Sequence, residues 1–232
     1  WRYAMPPYAN DDELFTLLKT KLFPAVVGDV LDKMGYLHQF LPADIEPLDD
    51  DMVLAGRAMP VLEADIYDAE GNNNPLAGKP FGLMLEALDS LKPGDIYIAA
   101  GGSLKYAMFG ELMSTRAKIL GANGALVNGY IRDTKGIKAL GFPAFGRGKY
   151  AQDQGPRGQV IDYNVTVEIA GIRIEPGALL FGDCEGVLVI PKAVEEEAIA
   201  KSLEKAAMEN TVEDAIKGGM STVEAFKAYG VM

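Results

Sequence analysis

Two adjacent side chains, Arg132 and Asp133, are the best-placed groups in the sequence for chemistry on a small acid. A planar guanidinium can grip a carboxylate through two parallel hydrogen bonds, and a carboxylate beside it suits a hard dication that keeps several waters. Adjacent in the chain, they offer a grip for an anion and a seat for a cation side by side. A second anion site is expected at Glu111, where a helix starts after Gly110 and its first N–H groups are free. Each residue also has a plain reading. An Arg-Asp pair in an arbitrary loop is a surface ion pair, and an acid at a helix start simply favours the positive end of the dipole.

Other chemistries find little support. The one histidine, His38, sits in Tyr36-Leu-His-Gln-Phe40 and reads as a packed or surface residue, which leaves no histidine triad or zinc site. Proton transfers would then fall to metal-bound or carboxylate-held water. The one cysteine, Cys184, has no CxxC partner and reads as a buried structural thiol; a single cysteine forms no intrachain disulfide and suits a reducing compartment. Gly146-x-Gly148-x-x-Ala151 fits a dinucleotide fingerprint in form, but Gln152, Asp153, Gly155 and Pro156 do not continue it as a helix. No P-loop is present, and nothing marks Lys105 or Lys135 as a desolvated Schiff-base lysine.

The 22 Lys and Arg against 33 Asp and Glu give a net charge of −11, which repels nucleic acid phosphates and otherwise favours solubility. Trp1-Arg-Tyr-Ala-Met-Pro-Pro lacks the basic start and apolar core of a signal peptide. No apolar run approaches the roughly 20 residues that span a bilayer. The expectation is a cytoplasmic protein with no membrane or nucleic acid partner.

The elements that must position these residues read as mixed α/β. Asp11-Asp12-Glu13 opens an amphipathic helix, and a second follows Pro24, with Val26, Val27, Val30, Leu31 and Met34 on its apolar side and Gly35 as its stop. Residues 52–62 read as extended, with Gly56 and Pro60 arguing for bulges or an edge rather than a central strand. Asn72–Pro75 reads as loop. A helix through Met84 and Leu88, a buried strand over 95–100, a helix from Phe109 to Leu120 and a strand over 124–128 follow, so Arg132-Asp133 lies just after a strand. Strand and hairpin signals fill 160–189. The chain ends in a helix over 192–209 and two short helices opened by Thr211-x-x-Asp214 and Ser221-x-x-Glu224. With no linker or repeat, residues 1–232 are expected to form one domain, with a core over about 20–192 and C-terminal helices over 192–232.

Taken together, Gly110-Glu-Leu-Met113, Gly121-Ala-Asn-Gly124, Asn128-Gly-Tyr-Ile-Arg-Asp133, Gly141-Phe-Pro143 and Phe145-Gly-Arg-Gly148 resemble the signature of the RraA-like superfamily. That superfamily holds regulators of ribonuclease activity and metal-dependent 4-hydroxy-4-methyl-2-oxoglutarate aldolases. The likeness continues through Pro176-Gly177, Gly182-Asp-Cys-Glu-Gly-Val187, Ile190-Pro191 and Glu224-Ala-Phe-Lys-Ala-Tyr-Gly230. It implies a β/β/α sandwich resembling swivelling phosphohistidine-like domains, with helical N- and C-terminal extensions, assembled as a homotrimer or homohexamer with sites at subunit interfaces.

By the same resemblance Arg132 would bind a substrate carboxylate or oxo oxygen, Asp133 would ligate Mg²⁺ or Mn²⁺, and Glu111 would stand near the metal and its waters. Gly110 and the amides of Leu112 and Met113 would cradle a carboxylate. Acids of a neighbouring subunit, Glu185 or Asp183, and one from the first helices, Asp29, would complete the water shell. The implied activity is that of a class II type lyase on a small 2-oxo acid, a 4-hydroxy-2-oxo acid aldolase or an oxaloacetate decarboxylase, working through a metal-stabilised pyruvate enolate. One position departs from the pattern: in the aldolases the Arg-Asp pair is followed, after two intervening residues, by an acid, and Gly136 stands there here. The ribonuclease regulators also lack that acid, so a non-catalytic protein that binds a ribonuclease or another partner is the alternative. Against it, those regulators are usually shorter, and the C-terminal helices resemble those of the aldolase-like members.

Overall fold

A computed structural model describes residues 7–67 and 73–231. Residues 1–6 of the segment read for a leader, and Asn72 of the expected loop, lie outside the described residues. In chain order, α1 (Asp11–Lys21) and α2 (Pro24–Lys33) are followed by β1 (Glu46–Pro47), β2 (Leu54–Asp65), α3 (Met84–Asp89), β3 (Asp95–Ala100) and β4 (Ala107–Phe109). Then come α4 (Glu111–Ile119), β5 (Gly124–Val127), β6 (Tyr130–Ile131), α5 (Thr134–Leu140) and β7 (Ala144–Gly146). Strands β8 (Gly158–Tyr163), β9 (Val167–Ile169), β10 (Ile172–Ile174), β11 (Leu179–Asp183) and β12 (Gly186–Ile190) precede α6 (Glu195–Lys217) and α7 (Thr222–Tyr229). The class is mixed α/β, as periodicity predicts.

Two compact units are present, residues 1–37 with 193–232, and residues 38–192. In the helical unit, Asn10 starts α1 by accepting the Glu13 amide at 3.0 Å, while Glu13 Oε2 accepts the Ala9 amide at 2.8 Å. Pro24 occupies the first turn of α2, where no intrahelical N–H is needed. The break expected at Thr211 is absent, because α6 runs unbroken for 23 residues. Thr211 Oγ1 donates to the Ala207 carbonyl at 3.1 Å instead of capping a new turn, and no glycine or proline within 195–217 favours a stop. Ser221 does form the expected capping box with Glu224.

The second unit is built on an eight-stranded sheet in the order β1-β7-β5-β3-β2-β11-β12, with β8 also paired to β2. β2 changes partner along one edge, pairing with β11 over residues 54–57 and with β8 over 61–65, while 57–62 run parallel to β3 on the other edge. This overturns the expectation that Gly56 and Pro60 exclude a central strand. The Ala58 amide donates toward Ala178, so the alternation of the strand aims position 60 at the same edge, between β11 and β8. There the missing N–H of Pro60 interrupts neither ladder, and its carbonyl accepts the Asn164 amide at 2.7 Å. A Cβ on Gly56 would collide with the Gly94 carbonyl and with Ile96, so glycine permits the close approach of β2 and β3. The bulge falls between Leu62 and Glu63.

Both faces of the sheet are covered, which is why β3 reads as a continuous apolar run. Tyr97 and Ala99 pack with Met84, Leu88, Ala117 and Ile137 of α3, α4 and α5. Ile96, Ile98 and Ala100 pack with Val167, Ile169, Ile172 and Ile174 of the β9-β10 hairpin. The cluster on the helical side also takes in Met108, Phe109 and Ile131, whose strands carry the polar residues.

Candidate functional site

β4 and β6 form a separate parallel pair, with Phe109 beside Ile131. The Arg132 amide donates to the Phe109 carbonyl at 2.9 Å, so Gly110 and Arg132 leave adjacent strands side by side. The carboxyl ends of parallel strands are where α/β folds present ligand-binding groups on a rigid base. The chain at 148–150 flanks β6, with the Ile131 amide donating to Gly148 at 3.0 Å and the Tyr150 amide to Ile131 at 3.1 Å.

Gly110 leads into α4, and Arg132 leads through Asp133 into α5. Asp133 has φ 56° and ψ 31°, a left-handed conformation that costs on the order of 1 kcal/mol for a residue with a Cβ. The kink brings its carboxylate against α4. Asp133 Oδ2 accepts the Glu111 amide at 3.4 Å and lies 3.6 Å from Arg132 Nε. A Cβ on Gly110 would stand 2.8 Å from that oxygen and 3.3 Å from Arg132 Cγ, so only glycine leaves room for the approach. The N-cap Gly110 has no side chain to cap α4, and beyond the Glu111 amide taken by Asp133, the amides of Leu112 and Met113 fall in its first turn, where no intrahelical acceptor exists. Leu112 itself is 85% exposed, so this helix start faces solvent.

Two features of this geometry escape a reading by motif. First, Arg132 Nη1 donates to Asp153 Oδ1 at 2.6 Å while Nε lies off Asp133, so the guanidinium is held from two sides. Asp153 is itself fixed: its Oδ2 accepts the Gly155 amide and its carbonyl accepts Arg157 Nη1, both at 3.0 Å. The only signal for it was an acid in a turn of Gly and Pro, with nothing in the spacing to link it to Arg132. Second, the Glu111 carboxyl group lies over Gly136, where an added Cβ would fall on its carbon and oxygens. A carboxylate therefore does occupy the space at position 136, contributed by α4 rather than by α5.

The remaining candidates lie elsewhere. Asp183 and Glu185 sit in the turn between β11 and β12, where Asp183 Oδ1 accepts the Glu185 amide at 2.9 Å. Asp29, in the helical unit, pairs with Lys205 at 3.0 Å, and Lys205 is also bonded to Glu209. Burial works to lower the Lys205 pKa, but the bonds to Glu209 and Asp29 outweigh it and leave the pKa above its ordinary value. Cys184 is exposed, which corrects its expected burial: it occupies the tip of the β11-β12 turn, outside both apolar clusters. His38 is exposed as well. Asn128 of the Asn128–Asp133 motif accepts Arg147 Nε at 2.8 Å, a bond that braces the loop after β5.

Among the described residues no three His, Cys, Asp or Glu side chains converge enough to hold a metal. Asp133 and Glu111 supply two carboxylates at one strand end, a donor set that fits a hard dication keeping several waters and does not fit a closed zinc site. No helix among the described residues is long and apolar enough to cross a membrane.

Comparison with known proteins agrees with the motifs. A protein of Halalkalibacterium halodurans, whose assignment as a 4-hydroxy-4-methyl-2-oxoglutarate aldolase is provisional, is 34% identical over 201 residues, covering 86% of this chain and 87% of that one. An uncharacterised protein from Pseudomonas syringae superposes with a TM-score of 0.83 at 22% identity, covering 99% of this chain and all of that one. Streptomyces coelicolor RraAS2, described as an unusual member of the RNase ES inhibitor RraA protein family, superposes with a TM-score of 0.74 at 22% identity over 90% of this chain and 99% of that one. At these identities the two structures speak for the fold alone. The RraA-like (Aldolase/RraA) family model matches residues 25–189, and the chain belongs to that family.

Proposed function

We propose that this chain is a divalent-metal-dependent lyase that breaks a C–C bond in a small 2-oxo acid, by retro-aldol cleavage of a 4-hydroxy-2-oxo acid or by decarboxylation of oxaloacetate. The observation that carries the reading is the placement, at two parallel strand ends, of the Arg132 guanidinium beside the Asp133 carboxylate, which accepts the first amide of α4, with the Glu111 carboxylate over Gly136. The provisional name of the 34% identical relative supports the same class.

In this reading Arg132 binds the substrate carboxylate, and Asp153 holds the guanidinium at one angle before substrate arrives, which reduces the ordering left to binding. The amides of Leu112 and Met113 take a second carboxylate or oxygen through the helix dipole. Asp133 and Glu111 would hold Mg²⁺ or Mn²⁺, which would supply Lewis-acid polarisation of the 2-oxo group. Water held by these carboxylates moves the proton, since the one histidine lies outside the motif. A neighbouring copy in a homotrimer or homohexamer would add Asp183 or Glu185 to the outer shell.

The test is pyruvate release from oxaloacetate and from 4-hydroxy-4-methyl-2-oxoglutarate, with and without Mg²⁺ or Mn²⁺, on the wild type and on Asp133→Asn. Turnover that needs the metal and is lost in Asp133→Asn is the expected result. Absent or metal-independent turnover on every substrate would sink the lyase reading and leave the regulator-like, protein-binding role.

A further inference from the structure

The strand that carries Arg132 has a neighbour on each side and an aromatic outer face. Ile131 pairs with Phe109 of β4 on one edge and bridges in parallel to Lys149 on the other, so β6 lies between β4 and the segment 148–150. Side chains alternate across such a ribbon: Ile131 enters the core at 1% exposure, and its neighbours Tyr130 and Arg132 leave by the other face. In this register Tyr150 stands level with Arg132, and Gly148 level with Tyr130. The Tyr130 ring lies over Gly148, where a Cβ would stand 3.5 Å from its Cε1, and Gly148 has a φ of 136° that suits glycine. The two tyrosine rings meet edge to face with centroids 5.5 Å apart. Neither joins the two apolar clusters of the sheet, and Tyr150 is 45% exposed, so the pair offers ring surface outward.

After Tyr150 the chain turns back across this ribbon: the Gln152 carbonyl accepts the amide of Ala107, at the start of β4, at 2.9 Å. The return brings Asp153 to Arg132 Nη1. Arg132 thus has two unlike flanks. Toward β4 stand the Asp133 carboxylate, the start of α4 and the Glu111 carboxylate. Away from β4 stand the two phenol rings and Asp153. The nearest cations in the chain are engaged or turned away: Arg147 is bonded to Asn128 and Asp44, and Lys149 follows its bridge partner Ile131 to the opposite face.

We propose that Tyr130 and Tyr150 select the tail of the substrate, an inference that rests on the lyase reading and names its substrate class. The head of a 2-oxo acid occupies the guanidinium and the flank toward β4, which leaves the tyrosine flank for the group carried by C4. Ring surface packs an alkyl or aryl group, and an aryl ring gains edge-to-face contact as well. A second carboxylate there would lose water, meet no cation and face Asp153. The preferred substrate is therefore a monocarboxylate, a 4-hydroxy-2-oxo acid with an alkyl or aryl group on C4, and the α4 amides take an oxygen of its head. Its cleavage is redox-neutral: the C3–C4 bond breaks, the C4 hydroxyl gives up its proton as the aldehyde forms, and C3 takes up a proton to leave pyruvate.

Calorimetric binding of 2-oxo-4-phenylbutanoate and 2-oxoglutarate, which differ only in the group on C4 and cannot undergo the cleavage, tests the selection in the presence of Mg²⁺. The wild type is expected to bind the phenyl acid about 10-fold more tightly, the order that packing a ring against aromatic partners supplies. Tyr150→Ala and Tyr130→Ala should each bring the two affinities to within a few-fold by weakening the phenyl acid alone, and Tyr150→Phe, which keeps the ring, should retain the preference. Tyr150→Lys, which puts a cation on that flank, should turn the preference toward 2-oxoglutarate. Equal affinities in the wild type, or an unchanged preference in both alanine variants, overturns the proposal and leaves the lyase reading standing. A Tyr150→Ala variant altered only in its sedimentation would assign the rings to a contact between copies and overturns it too. Binding of neither acid also overturns it, and metal-dependent turnover of oxaloacetate then decides whether the lyase reading falls with it.

Discussion

The rim at Arg132 and the interior at Glu63 handle negative charge in opposite ways. At the rim, Asp133 and Asp153 are about half exposed, each is within reach of Arg132, and backbone amides complete the set. In the interior, Glu63 is buried away from water, and the polar group that draws on its carboxyl is the Tyr106 hydroxyl, which already donates to Asp65. Charge kept in partial contact with water contributes little to stability and remains free for ligands, whereas charge in the core bears directly on the stability of the fold. Substitutions at the rim should therefore change turnover and leave unfolding nearly unmoved, and those in the interior should do the reverse.

The largest expected effect lies inside. Burial pushes the Glu63 carboxyl up to about 8, with Tyr106 pulling against it and Asp65 adding to the rise. The fold thus binds a proton more tightly than the unfolded chain, whose carboxyl titrates near 4.5. The resulting stability is complete below 4.5 and is lost as pH rises through about 8. At about 1.4 kcal/mol per unit, the window spans at most roughly 5 kcal/mol. Urea unfolding from pH 4.5 to 8.5 should show this decline in the wild type and a flatter profile in Glu63→Gln. Parallel profiles would show that Glu63 shares its proton demand with Asp65 or Tyr106, and would erase the contrast with the rim.

Next comes Asp133→Asn, which keeps the side-chain shape and tolerates the left-handed backbone. It is expected to lower kcat/KM by on the order of 100-fold, as loss of a group facing developing charge does, with the urea midpoint nearly unchanged. A large drop in the midpoint would make Asp133 a structural residue. Arg132→Lys follows, expected to raise KM by about 10-fold, because an ammonium replaces a planar fork already held by Asp153. A fall in kcat alone would place the contact at the reacting bond instead of at the carboxylate.

What the sequence reveals divides along the same line. Strand β3, the helix at Glu111 and the placement of Arg132-Asp133 after a strand follow from periodicity and from glycines that local backbone geometry requires. The rules for Gly56 and Pro60 are local and argue against a central strand, while the role of β2 depends on which partner lies at each edge. The same holds for Asp153 and Glu63. Nothing near Asp153 in the chain points 21 residues back to Arg132. Glu63 in Val61-Leu-Glu-Ala-Asp65 looks like any acid on an alternating strand until the 101–106 segment and β8 close over it. Continuous α6 is a third case, since Thr211 has the residue pattern of a cap yet sits in a stretch with no backbone reason to stop.

The smallest effect makes the sharpest test of the rim. Gly136 lies within α5, where alanine is ordinarily favoured over glycine by roughly 0.5–1 kcal/mol. The atoms nearest a Cβ there are the far end of the Glu111 side chain, which can swing toward solvent because Glu111 is exposed. Gly136→Ala should therefore leave unfolding unchanged or slightly raise the urea midpoint, while turnover falls by a few-fold and half-saturation by Mg²⁺ or Mn²⁺ moves to higher concentration. Gly136→Asp separates displacement from loss of charge: it evicts the Glu111 carboxylate and puts another in nearly the same space, so its metal requirement should lie nearer the wild type than that of Gly136→Ala. If both variants behave as the wild type, Glu111 plays no part in holding the metal and the rim reduces to Arg132 and Asp133. If both lose stability, position 136 belongs with the packed interior, and the division between a chemical rim and a structural core fails at the residue where it is narrowest.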